Sequence, residues 1–174
     1  MVDQHLAGIE PVTRLEAFFT EIWQTRMAGL PILNPALRVE AVNFLPWDNG
    51  WLGVMVTPWF MSLLWVPSDQ EATLGKIGDK VMQYLPAGDY EFVVAHEEGI
   101  GDYLSCSLCS PMSPFADQES ARATAVAVME TVLQVADGAA ADSAPSQQAD
   151  TPRSRRPLSR RDLLFGRFLG GKFY

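Results

Sequence analysis

The sequence predicts an α+β fold: a single domain on a largely antiparallel β-sheet of about five strands, packed with helices in the order α-β-β-β-α-β-β-α, then a disordered basic C-terminal tail. Three observations carry that prediction. Apolar residues recur at helical spacing behind capping signals. Short runs rich in Val, Leu, Trp, Phe and Tyr are separated by Pro, Gly and Asn, so neighbouring strands are joined by tight turns and pair antiparallel. From Asp137 the large apolar residues almost vanish for about twenty residues, too few to offset the entropy of ordering them.

In chain order, Thr13 with Glu16 reads as a capping box, and Leu15, Phe18, Phe19, Ile22 and Trp23 follow at helical spacing. This predicts a helix from about Arg14 to Met27. Pro31 and Pro35 make the next segment an extended connector. Strands are expected over Val39–Leu45, Gly50–Thr57 and Trp59–Val66, with Asn49-Gly50 suited to a turn of positive φ. Ser68 with Glu71 reads as a second capping box, opening a helix whose apolar face is Leu74, Ile77, Val81 and Leu85. Asp89–His96 and Asp102–Cys109 are strand-like around a Glu98–Gly101 turn, and Asp117 caps a helix to about Val135 with Ala121, Ala125, Val128, Val132 and Val135 inward. The domain therefore takes residues 1–136, a disordered linker 137–158, and a basic, apolar segment 159–174.

Length and composition allow one core of ordinary size: 174 residues, 48% hydrophobic. The run Trp51–Val66 is interrupted by Gly53, Pro58 and Ser62, so no stable membrane insertion is expected. Met1–Pro11 has neither the basic nor the apolar region of a secretory signal, and two cysteines are too few for a disulfide scaffold. Both point to the cytoplasm.

The sequence offers no enzyme. It has no nucleophile elbow, phosphate-cradling loop or dinucleotide-binding glycine pattern, so no catalytic residue and no cofactor is expected. Cys106 and Cys109 form one CxxC, the candidate redox pair. A metal site would need more ligands than His5 and His96 add, and on a strand positions i and i+3 point to opposite faces. Glu97, Glu98 and Asp102 gather negative charge near a turn, while Trp51 and Trp59 suit either core packing or an apolar groove for a peptide.

Ser159-Arg160-Arg161-Asp162-Leu163-Leu164 reads like a twin-arginine export signal but sits at the wrong end to direct its own chain. Residues 151–174 carry a net charge of +6 and residues 1–150 a net of −14, which together give −8. A basic tail also suits nucleic acid or anionic lipid; that reading predicts steep salt dependence and no preference for arginine over lysine. The alternative is a signal-peptide mimic, with Arg160, Arg161, Leu163 and Leu164 either docking on the body in cis or engaging a partner that reads such signals.

Several blocks favour the second view. Arg26-Met27 with Leu30-Pro31, Asn34-Pro35, Val39–Val42, Trp51-Leu52-Gly53, Thr57–Met61, Leu85-Pro86 with Gly88, Cys106-Ser107-Leu108, Ser110-Pro111-Met112 and Phe115-Ala116-Asp117 together resemble the HybE/HupJ/HoxT family of [NiFe]-hydrogenase assembly chaperones. The resemblance implies a cytoplasmic accessory chaperone that is not an enzyme. Its implied partners are the hydrogenase small-subunit precursor, that precursor's twin-arginine signal peptide and other hydrogenase maturation proteins, without nucleic acid. Some relatives carry a fused rubredoxin module, whose paired CxxC motifs are missing here. The chain departs from the family pattern at Cys109, which weakens a redox role. A twin-arginine peptide offers guanidiniums and then an apolar run, so its receptor combines carboxylates with apolar surface. Glu97, Glu98 and Asp102 are the expected contacts for the former, Trp51 and Trp59 for the latter. The alternative function is a redox or iron–sulfur protective protein using Cys106 and Cys109.

Overall fold

The computed structural model describes residues 9–134. Its elements are α1 (Ile9–Gln24), β1 (Glu40–Trp47), β2 (Gly50–Val56), β3 (Met61–Pro67), β4 (Lys80–Leu85), β5 (Gly88–Glu97), β6 (Gly101–Cys109) and α2 (Gln118–Leu133). The six strands form one antiparallel sheet in the order β1-β2-β3-β6-β5-β4. Two three-stranded meanders therefore meet along β3 and β6. The α+β class and the single sheet are as the sequence predicts.

Each helix covers one face. α2 buries Ala121, Ala125, Val128, Met129 and Val132 against Leu52, Val54, Val56, Leu63, Phe92 and Leu104. Its alanines leave room for close approach to the strands. On the other face, Leu15 and Phe19 of α1 pack with Met55, Leu64, Val66 and Tyr103. Because β2 and β3 are covered on both sides, they read as nearly unbroken apolar runs rather than alternating ones.

Asp117 caps α2 as its sequence position predicts. Its carboxylate accepts from Ser120 N at 2.7 Å, and its own N–H donates to Ser120 Oγ at 3.4 Å. The hydrogen bond from the Ser120 backbone, then that from its side chain, holds the Asp117 carboxyl below its usual range.

Three local expectations are corrected. The helix expected after Ser68 is absent: residues 68–79 form a connection, and Lys80–Leu85 is strand β4. Gly75 and Gly78, at φ 142° and 93°, break any helix there, and β5 supplies a ladder for the rest. Among the described residues the order is thus α-β-β-β-β-β-β-α, with six strands and two helices. α1 starts at Ile9, so Thr13 lies inside it; Glu16 does not cap but accepts from Ala41 N on β1 at 2.8 Å. Finally, the β1–β2 turn places its positive φ values at Asp48 and Asn49, leaving Gly50 paired with Trp47. Val135, the expected linker 137–158 and the segment 159–174 lie outside the described residues. No helix among the described residues is long and apolar enough to cross a membrane.

Candidate functional site

A cleft of about 450 Å³ opens between α1 and the β5–β6 turn, lined among others by Arg14, Phe18, Glu21, Ile22, Arg26 and Glu98. The turn is tied down from three sides. Ile100 is buried in the α1-side core, Arg14 Nη2 donates to Gly99 O at 2.9 Å, and Arg26 pairs with Glu97 at 3.7 Å. Gly101 is required here: its φ is 87°, and a Cβ would sit 2.6 Å from Gln70 O. Both arginines of the cleft are thus engaged by the turn. Among the described residues, Glu21 and Glu98 have no ion-pair partner.

A second groove, also about 450 Å³, lies at the opposite end of the sheet and is apolar and proline-rich, with Pro31, Ile32, Pro35, Pro111 and Phe115 in its wall. Asn34 assembles it. Its Nδ2 donates to Met112 O at 2.9 Å and Phe115 O at 2.8 Å, and its backbone N–H donates to Pro58 O at 2.8 Å. Ser110 Oγ donates to Trp59 O at 3.2 Å. Family-resemblance blocks from three stretches far apart in the chain, around residues 30–35, 57–61 and 110–117, therefore converge at this end.

The structure brings only some of the expected site residues together. Glu98 lines the first cleft and Glu97 stands beside it through Arg26. Trp51, opposite Val66, lies on the α1 side at the same end of the sheet, three strands away from β5. Asp102 is on the other face. It accepts from Leu74 N at 2.9 Å and contacts His96 Nδ1 at 2.7 Å, and these hydrogen bonds, the backbone one foremost, hold its carboxyl below the usual range. Trp59 is at the far end, stacked edge-on against Phe60 at 5.5 Å. Glu21, Phe18 and Ile22 are the lining residues that sequence reasoning missed. Phe18 and Ile22 are legible in the sequence only as part of a helix's apolar face, and the signal for Glu21 is that it falls three positions after Phe18, on a neighbouring part of the helix surface.

Cys106 is buried in the α2-side core, and Cys109 packs against the same cluster. The expectation of opposite faces fails because a bulge at Leu108 shifts the alternation: Met61 pairs with Cys109 but Ser62 with Ser107. The two thiols are not joined in a disulfide. Cys109 Sγ donates to Pro111 O at 3.4 Å, and burial pushes its thiol pKa up, away from the reactive thiolate. The described residues contain no group of three metal-ligating side chains. Arg160, Arg161, Leu163 and Leu164 lie outside the described residues.

As a class, this is a single-sheet α+β domain with an open cleft at each end of the sheet. The family pattern described as "[NiFe]-hydrogenase assembly, chaperone, HybE" matches residues 10–166. The chain is 46% identical over 119 residues to the hydrogenase expression/formation protein HupT of Azotobacter chroococcum mcd 1, covering 68% of this chain and 78% of that protein. It is 45% identical over 111 residues to HoxT of Azotobacter vinelandii, covering 63% and 72%. The solution structure of HybE from Escherichia coli superimposes with a TM-score of 0.57 at 28% identity, covering 85% of this chain and 91% of that one. The chain belongs to the HybE family of [NiFe]-hydrogenase assembly chaperones.

Proposed function

We propose that this chaperone holds the small-subunit precursor of a [NiFe]-hydrogenase by its twin-arginine signal peptide before export, which places its action in the cytoplasm. The observation that carries the reading is the α1 cleft, where Glu21 and Glu98 have no ion-pair partner among the described residues and stand beside the apolar side chains of Phe18 and Ile22. A carboxylate accepts both N–H groups of a guanidinium in one plane, which an ammonium cannot reproduce. The apolar run behind the arginine pair then covers Phe18 and Ile22. Glu97, whose contact with Arg26 is long and half-exposed, is a third acceptor that an incoming arginine can take over. Trp51 extends the apolar path across the same sheet face.

Calorimetric titration of the full chain with a small-subunit signal peptide tests this. Binding should weaken about tenfold or more when the peptide's arginine pair becomes lysine, and similarly with Glu98→Gln or Glu21→Gln in the chaperone. Equal binding of both peptides, or of neither, would sink the proposal. The redox alternative has less support, because Cys106 is enclosed in the core and the thiol of Cys109 is disfavoured as a thiolate.

A further inference from the structure

The described residues cover the α1 side of the sheet only in part. Its core cluster reaches Ala95 on β5 and includes no residue of β4. Beyond that limit the β4–β5 hairpin presents Lys80, Met82 and Tyr84 in register with Val93, Glu91 and Asp89. The alternate residues Val81, Leu85, Tyr90 and Phe92 turn to the α2-side core. Tyr84 is 73% exposed and Met82 39%, and Ile77 just ahead of the strand is 73% exposed. One carboxylate oxygen of Asp89, the register partner of Tyr84, is shut off from solvent with no hydrogen-bond partner among the described residues. β4 is also the sheet edge, and neither proline nor bulge interrupts it. Native proteins cover or block such edges.

Where the chain leaves the described residues points to the cover. Ala87 N, in the β4–β5 turn, donates to Val132 O at 3.2 Å, so α2 ends beside this hairpin. Residues 135–159 lead from there to Arg160, and extended they reach up to about 80 Å, so distance is no obstacle. The segment beyond has the matching chemistry: paired guanidiniums, then Leu163, Leu164, Phe165 and Phe168, in a stretch of net charge +6 facing a body of net −14. The family pattern runs to residue 166 and so includes both arginines and both leucines.

We infer that residues 160–169 fold back in cis onto the open face of the β4–β5 hairpin, with the leucines and Phe168 against Met82 and Tyr84 and an arginine beside the partly exposed side of the Asp89 carboxylate. This surface lies at the opposite end of β5 from the Glu98 cleft and does not depend on the client proposed above.

Limited trypsinolysis of the full chain reads the contact directly. Arg153 and Arg155 lie before the docked segment and Arg160 and Arg161 within it, so one chain carries both control and test sites. Initial rates at each site are normalised to those of a free synthetic peptide of residues 150–174. Docking predicts cleavage after Arg160 and Arg161 about tenfold or more slower than after Arg153 and Arg155, because only the undocked fraction is cut. Tyr84→Lys, at an exposed position, and Asp89→Asn, an isosteric change at a partly buried one, should abolish that difference while leaving the circular dichroism unchanged. Equal normalised rates at all four sites would overturn the inference, as would protection that survives Tyr84→Lys. Protection that disappears on dilution would assign the face to a second copy and overturn the cis contact.

Discussion

The Glu40 carboxylate on β1 receives the Arg122 guanidinium through two hydrogen bonds, Nε to Oε1 at 2.6 Å and Nη2 to Oε2 at 3.1 Å. Gln118 donates to the same carboxylate at 2.6 Å. Edge strand and first turns of α2 are thereby fixed to one another. Burial by itself pushes the Glu40 carboxyl up, but the hydrogen bonds from Arg122 and Gln118, with the charges of Arg122 and Arg38, outweigh it and hold the group below its usual range. Glu40→Gln should lower the thermal midpoint by about 3–5 °C, the shift expected for a loss on the order of 1 kcal/mol in a domain of this size. Because the folded-state pKa is depressed, this stabilisation is present above the unfolded pKa of about 4.3 and is lost as pH falls through the folded value. Melting curves from pH 3 to 7 should show the wild type and the variant converging at the acid end.

Asn34 is the second joint whose loss is predictable. Two of its amide protons serve the carbonyls of Met112 and Phe115, while Oδ1 accepts from Ala36 N at 3.0 Å. Asn34→Ala leaves those groups without partners, at a cost of about 1–3 kcal/mol. Asn34→Asp keeps the shape but replaces the doubly donating Nδ2 with an acceptor oxygen facing two carbonyls, so it should cost more than alanine. Urea midpoints of the two variants give the comparison, and an aspartate milder than alanine would show that the clamp is not the amide's donor pair.

The contrast between α2 and β4 shows what the sequence can and cannot reveal. The α2 start is legible because capping is local: Asp117 and Ser120 are three residues apart and need no third party. In β4 the spacing of Leu74, Ile77, Val81 and Leu85 fits a helix, while polar Gln83 hides the strand alternation that Val81 and Leu85 follow. Only pairing with β5, a tertiary event, decides between them. The same distinction divides the site. Glu97 and Glu98 are legible as turn carboxylates, whereas Glu21 enters the cleft because α1 packs beside that turn. Asp102 has the same charge but pairs with His96, and alternation sends both to the opposite face from Glu97.

Tyr103 gives a prediction at the alkaline end. Burial, and then the charge of Glu97, push its phenol up to about 12. A raised folded-state pKa means that stability is intact below the unfolded value of about 10 and is lost as pH rises toward 12, by an amount on the order of 2–3 kcal/mol. Tyr103→Phe removes the ionisation, so its denaturation midpoint should fall less steeply than the wild type's between pH 10 and 12. Parallel curves would place the alkaline transition on another group.

The two cysteines separate chaperone from redox chemistry. Cys106→Ser puts a hydroxyl into the core beside Phe92 and Leu104 and should destabilise the fold by about 1–3 kcal/mol, since the core offers that hydroxyl little hydration. Cys109→Ser, at a half-buried position where serine can still donate to Pro111 O, should leave both the urea midpoint and signal-peptide affinity within experimental error. A dithiol mechanism requires the opposite pattern, with both variants equally inactive whatever their stability, because a thiol–disulfide cycle needs both sulfurs. Hydrogenase maturation supported by Cys109→Ser at the wild-type level would therefore assign the family role to binding, and its complete loss in a stably folded Cys109→Ser protein would restore the redox alternative.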